Sequence, residues 1–201
     1  FGCRDEEPSA TEPLICHVGG TMRPVMLHLA ETYEAETGRP VEVNSAGSGE
    51  LLAHIELQET GDLYVCHDPF LDILMKKFGM GTDGWTVAEL TPVVVVAEGN
   101  PKDIHGLTDL ARDDVDLALT DFEHSTLGHM LPTIFRKVGI DVRELVKRKD
   151  VQINKSGGYV ANLVKTGNAD AAMVWNAVAR LREDALDVVE IPAERLPTPG
   201  V

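Results

Sequence analysis

Apolar positions give the first outline of this chain. LICHV (14–18) is a short β run that ends in Gly19-Gly20. Thr21 then opens a segment in which Met22, Met26, Leu29 and Tyr33 recur at helical spacing, and Gly38 closes it. VEV (41–43) predicts the next strand, followed by NSAGSG and a helix with Leu51, Leu52 and Ile55 on one face. LYVC (63–66) is a third strand; Asp68 is expected to cap a helix with Pro69 at its first position and Leu71, Leu74, Met75 and Phe78 along its apolar side. Three strand–helix units in a row predict a parallel α/β sheet.

The second half repeats the theme without a measurable sequence period. PVVVVA (92–97) is a continuous apolar strand suited to burial on both faces. A short helix near 107–111, the alternating strand VDLALT (115–120) and a helix through Met130, Ile134 and Val138 follow, with Pro132 expected to delay or bend that helix. A short helix near 142–148, a strand at 151–153, a helix carrying Val160, Leu163 and Val164, the strand DAAMVW (170–175), a helix to about Arg182 and the strand DVVEI (187–191) complete the pattern. The economical reading is two α/β lobes joined by crossing strands near 90 and 185. Residues 13–90 with 186–201 would form the first and 91–185 the second. Such lobes bind ligands between them, outside the carboxyl ends of their strands.

Several strand–helix junctions share one character. VGGT (18–21), AGSG (46–49) and KSGG (155–158) are rich in small residues, and EHST (123–126) offers two hydroxyls. A helix cap needs only one Ser, Thr, Asp or Asn. Paired glycines beside hydroxyls suit close approach of an anion to unpartnered N–H groups at a helix start. Caps with tight turns explain each junction singly; the recurrence points to a shared anion site.

Charge narrows the choice. With 18 Lys and Arg against 33 Asp and Glu, the formal charge is -15, which argues against nucleic acid as a partner. An anion site here must be local and built from dipoles. No apolar run approaches the roughly 18 residues of a membrane span. FGCRDEEPSATEP resembles a processed bacterial lipoprotein, with Cys3 as the lipidation site and residues 1–12 as a polar tether. That predicts a periplasmic or cell-surface protein held to a membrane by its lipid.

In order along the chain, VGGTMRPVMLHLAETYEAETGRPVEV, NSAGSGELL, GDLYVCHD, VVVVAEGNPKDI, ALTDFEH and GNADAAMVW resemble the periplasmic molybdate- and tungstate-binding proteins of ABC transporters. The resemblance implies a type II periplasmic binding fold, two lobes closing over a tetrahedral oxyanion held by neutral hydroxyl and N–H donors. It assigns first-lobe contacts to Thr21, where a serine is usual, and Ser48, beside Gly20 and Gly49. Second-lobe contacts fall at Leu127 and Gly157 through their N–H groups, and at Trp175, where a tyrosine is common; Tyr159 adjoins them. Gly157-Gly158 stands where bulkier residues are usual. It further implies no cofactor, no catalysis, an ABC permease as partner, and a monomer, with more chain normally following the VVEIP-like strand. A ligand-sensing regulatory module on the same fold is the alternative.

Two Cys-His pairs raise a different chemistry. Cys16-His17 and Cys66-His67 end neighbouring strands, and two Cys with two His suffice for a soft metal. Adjacent strand residues point to opposite faces, which disfavours one four-ligand site. Three arrangements fit: buried small cysteines with rim histidines, a Cys16–Cys66 disulfide, or a metal site. Asp121, Glu123 and His124 resemble acid–base residues, but Asp121 is expected to tie down its loop. GxSxG, HExxH, P-loop and dinucleotide fingerprints are absent from the sequence.

Overall fold

The computed structural model describes residues 12–79, 84–148 and 151–196. The described residues up to Trp85 form one compact unit, and those from Thr86 form a second. The Cys3 tether lies outside the described residues.

The first unit is built on β1 (Leu14–Gly19), β2 (Val41–Ala46) and β3 (Leu63–Val65), ordered β2-β1-β3 with both pairings parallel. Parallel neighbours need crossovers, supplied by α1 (Arg23–Thr37) and α2 (Ser48–Gln58). The α2 face predicted by periodicity is the buried one, through Leu51, Leu52 and Ile55. It packs with α3 (Phe70–Lys77), whose Leu74 is buried and whose Phe70, Ile73 and Phe78 line the same cluster.

Two expectations change here. Thr21 does not start the long helix: Gly20–Met22 forms a 3-10 turn, and α1 begins at Arg23 with Pro24 in its first turn. Asp68 does not cap α3, which starts one residue after Pro69 without a side-chain cap bond. The predicted apolar stripe of α1 is only partly used. Ala30 is buried, whereas Val25, Leu29 and Tyr33 remain exposed.

The second unit holds a five-stranded sheet ordered β6-β5-β7-β4-β8. Its strands are β4 (Pro92–Ala97), β5 (Leu117–Thr120), β6 (Val151–Asn154), β7 (Ala171–Trp175) and β8 (Leu186–Val189). β5 runs parallel to β6 and β7, while β4 runs antiparallel to β7 and β8. Val93 to Val96 are all buried, as a continuous apolar strand with neighbours on both edges requires. The pairing places β8 in the second unit, with Val94 opposite Val189 and Ala97 opposite Leu186, rather than in the first-lobe assignment of 186–201. An apolar β4 gains a covered edge that way.

Helices α4 (Thr126–Arg136), α5 (Val142–Leu145), α6 (Gly157–Lys165) and α7 (Asn176–Arg180) complete the unit. α4 is continuous through Pro132 and so does not begin late; its apolar side (Leu127, Leu131, Ile134 and Phe135) is fully buried and holds the helix down. One large cluster joins that side to β4, β5 and β7. Phe135→Ala empties the middle of it and is expected to cost about 3–5 kcal/mol in chemical denaturation. A loss under about 1 kcal/mol would mean the cluster is not the second unit's core.

Candidate functional site

In the first unit, β1, β2 and β3 end side by side, and three junctions meet there. Ser48, the first residue of α2, is 5% exposed. Its hydroxyl oxygen accepts the backbone N–H of His67 at 3.2 Å and lies 3.3 Å from His67 Nδ1. Its carbonyl accepts the Tyr64 hydroxyl at 2.6 Å. A Cβ on Gly19 would stand 3.2 Å from Ser48 Oγ and 3.5 Å from His67 Nδ1, so a larger residue there would crowd the Ser48 hydroxyl. Gly49 answers to packing as well: a Cβ there would meet the Phe70 ring at 3.1 Å.

The donors of this corner are distinctive. α2 has Gly47 as its cap residue and no side-chain cap bond, and the turn into α1 has none either. The first N–H groups of a helix have no intrahelical acceptor and carry partial positive charge. At α2 no side-chain cap answers them, and the Ser48 hydroxyl lies in the same turn. Thr21 is half-buried in the 3-10 turn, and Gly20 is exposed, with the Ala46 carbonyl oxygen at the end of β2 3.9 Å from where its Cβ would be.

In the second unit, β5, β6 and β7 are parallel and hand over to α4, α6 and α7 at one edge. Asp121 ties the first junction. Its Oδ1 accepts the backbone N–H of Glu123 and of His124, both at 2.9 Å, and pairs with His124 Nδ1 at 2.7 Å. The His124 bond, then the Glu123 N–H, hold its carboxyl below the ordinary 3.8. Its role is architectural, as expected from the sequence. Gly128 lets α4 lie on that loop, since a Cβ would fall 1.8 Å from the Asp121 carbonyl oxygen. Leu127 is buried, leaving its N–H rather than its side chain for a ligand. Ser125 and Ser156 cap α4 and α6 by accepting Gly128 N–H and Tyr159 N–H. The N–H groups of Gly157 and Gly158 precede that capped position. Trp175 ends β7 at 8% exposure, whereas the Tyr159 side chain is 52% exposed.

The sequence picked out Thr21, Ser48, Leu127, Gly157, Tyr159 and Trp175, and within each unit they stand at strand–helix junctions. It missed Tyr64 as the clamp on Ser48 and His67 as its partner, although His67 had been marked for another chemistry. Thr120 also escaped notice: its buried hydroxyl, at the end of β5, has no hydrogen-bond partner among the described residues.

The two Cys-His pairs are kept apart by register. Cys16 stands opposite Leu63 and Val18 opposite Val65, which sets Cys66 three residues further along its strand. At about 3.3 Å per residue that is roughly 10 Å, beyond disulfide reach. Both cysteines are free thiols. Burial pushes the Cys66 thiol up to about 11 and raises Cys16 also, so neither is a ready thiolate ligand. His17 is 4% exposed and donates from Nε2 to the Thr60 carbonyl at 3.0 Å, packed against Gly61. Among the described residues no group of three or more His, Cys, Asp or Glu is arranged to hold a metal ion. A depression of about 390 Å³ beside α2 is lined by His17, Glu42, Asn44, Glu50, His54 and Gln58. Two carboxylates make it hostile to an anion.

His67 supplies a pH test of the corner. Burial, partly opposed by Asp68, lowers its pKa below the ordinary 6.5 in the folded chain. The unfolded chain therefore takes the proton first. The stability contributed by this group is full above pH 6.5, and it is lost as pH falls below that value towards the folded one. Denaturation between about pH 8 and pH 5 is expected to show that loss, and His67→Asn to flatten it. An equal slope in the variant would remove His67 from the corner's energetics.

Comparison with known proteins now places this arrangement. The family model for bacterial extracellular solute-binding proteins matches residues 15–200. A Haemophilus influenzae protein described only as a binding protein is 24% identical over 182 residues, 89% of this chain and 72% of that one. The periplasmic molybdate-binding protein of Azotobacter vinelandii superposes with a TM-score of 0.64 at 17% identity, over 81% of this chain and 71% of that one. The sulfate-binding protein SubI of Mycobacterium tuberculosis H37Rv gives 0.67 at 19% identity, over 90% and 71%. At these identities the structures share the fold, while the family match spans nearly the whole sequence. The chain belongs to the bacterial extracellular solute-binding proteins.

Proposed function

We propose that this protein captures a small, fully ionised tetrahedral oxyanion of the molybdate or tungstate class and delivers it to an ABC permease. The observation that carries the reading is the start of α2. A helix at the carboxyl edge of a parallel sheet opens there without a capping side chain, and the buried Ser48 hydroxyl stands in its first turn. Thr21 with Gly20, and Gly49, complete the first unit's wall. The N–H groups of Leu127 and Gly157 supply the second unit's wall, with Trp175 bounding its size and Tyr159 at its rim. Relatives of the same fold are named for molybdate and for sulfate, so size and protonation, not fold, select the anion. Lipidation at Cys3 would hold the protein at the membrane beside its permease.

The chemistry follows from the donor set. N–H groups and hydroxyls that donate suit oxygens bearing charge without protons. A protonated anion such as hydrogen phosphate brings an O–H that finds no acceptor, and burying it unpaired is costly. An anion held by such donors favours whichever conformation presents the most of them at once, so binding shifts the population towards that conformation. The acidic surface does not prevent this, because the local donors are fixed dipoles that need no reorganisation.

The Ser48 hydroxyl has a competing partner in His67 Nδ1. An arriving anion accepts the hydroxyl's hydrogen bond, while the His67 backbone N–H keeps the oxygen in place. Calorimetric titration of ligand-stripped protein with molybdate, tungstate, sulfate and phosphate tests the reading. One or more of the first three is expected to bind tightly and phosphate weakly. Ser48→Ala, which loses a hydrogen bond to a charged group worth about 1.5–3 kcal/mol, is expected to weaken binding about tenfold to a hundredfold. Silence towards all four anions, or an unchanged Ser48→Ala with an intact melting transition, would overturn the proposal.

A further inference from the structure

Gly157-Gly158 is a weak helix start by propensity, and α6 begins on it all the same. Ser156 caps the turn, and a second support comes from 24 residues downstream. Arg182 follows α7, and its guanidinium reaches three oxygens on two helices. Nη2 donates to the Gly158 carbonyl at 3.2 Å, Nε to Asn162 Oδ1 at 2.9 Å and Nη1 to the Val178 carbonyl at 3.0 Å. A Cβ on Gly158 would stand 3.2 Å from Arg182 Nη2, so a side chain there would force the guanidinium to shift by a few tenths of an ångström. Gly157 faces the same helix pair, with Val178 Cγ2 3.9 Å from where its Cβ would be.

These contacts join the two segments that carry the second unit's proposed donors. α7 begins at the residue after Trp175, and Val178 lies in its first turn. α6 begins at Gly157. We propose that Arg182 is the positioning residue of this wall: its three-pronged bond fixes the spacing between the Gly157 turn and Trp175, and so sets which size of oxyanion is accepted. The inference rests on the oxyanion reading above. A guanidinium makes these three bonds from three separate nitrogens held in one fixed fork, whereas an ammonium has a single nitrogen to serve all three acceptors. All three acceptors are uncharged oxygens, so the guanidinium also keeps its charge beside the helix start.

The test uses the whole chain in a Trp85→Phe background, which leaves Trp175 as its single tryptophan. Affinities for molybdate and sulfate are measured well below the melting midpoint in Arg182→Lys, Arg182→Gln and Gly158→Ala, with Trp175 fluorescence as the second readout. Positioning predicts that all three variants move the molybdate-to-sulfate affinity ratio about tenfold towards unity. It also predicts that the change in Trp175 emission on binding differs from the parent's. A residue that only stabilises the fold would lower the melting point and leave the ratio alone. Gly158→Ala displaces the guanidinium without removing it and carries the test if the Arg182 variants do not fold. A parental ratio in Arg182→Lys, or an unchanged ratio in all three, overturns the inference alone. A parent chain silent towards molybdate, tungstate, sulfate and phosphate overturns the oxyanion reading and this inference with it.

Discussion

A parallel strand that hands its chain to a helix leaves several N–H groups pointing outward at the turn with no acceptor in the helix. The proposed site depends on how those groups are left. α4 and α6 have part of theirs satisfied by Ser125 and Ser156. α2 does not, and its hydroxyl-bearing first residue is held rigidly by His67 and Tyr64 instead. Parallel pairing brings such turns to one edge of each sheet, so single weak dipoles become a group. An anion is the ligand class such a group suits.

The electrostatics of the chain reinforce that choice. With a formal charge of -15, the overall field repels small anions, and attraction has to come from donors within hydrogen-bond reach. Fixed neutral donors recognise number and spacing rather than charge alone. Geometry around them therefore matters more than the count of basic residues. The tie from Arg182 to both α6 and α7 belongs to that geometry, as does the Tyr64 bond beneath Ser48.

The elements were readable because apolar periodicity and glycine punctuation agree along most of the chain. Leu51, Leu52 and Ile55, and Val93 to Val96, are buried where pattern placed them. Pattern failed where a local rule met a tertiary one. Pro132 sits inside a continuous helix because the buried side of α4 outweighs one lost hydrogen bond, and Asp68 caps nothing because α3 starts at Phe70. β8 could not be assigned from sequence, since DVVEI has the same composition whichever sheet it joins. Of the site, the glycine and hydroxyl positions were legible through their spacing, but the partners that orient them were not. Arg182 and Tyr64 act across gaps of 24 and 16 residues, and no local pattern announces such contacts. The Cys-His pairs show the converse: a suggestive repeat that register keeps apart.

Amide hydrogen exchange of the stripped chain, with and without added molybdate and then sulfate, reads the N–H groups themselves. Anion binding by backbone donors predicts slowed exchange at Ser48 and Gly49 and at Gly157 and Gly158, with Glu42, Asn44, His54 and Gln58 of the neighbouring depression unaffected. Protection confined to that depression, or none at either helix start while the anion binds, would contradict it.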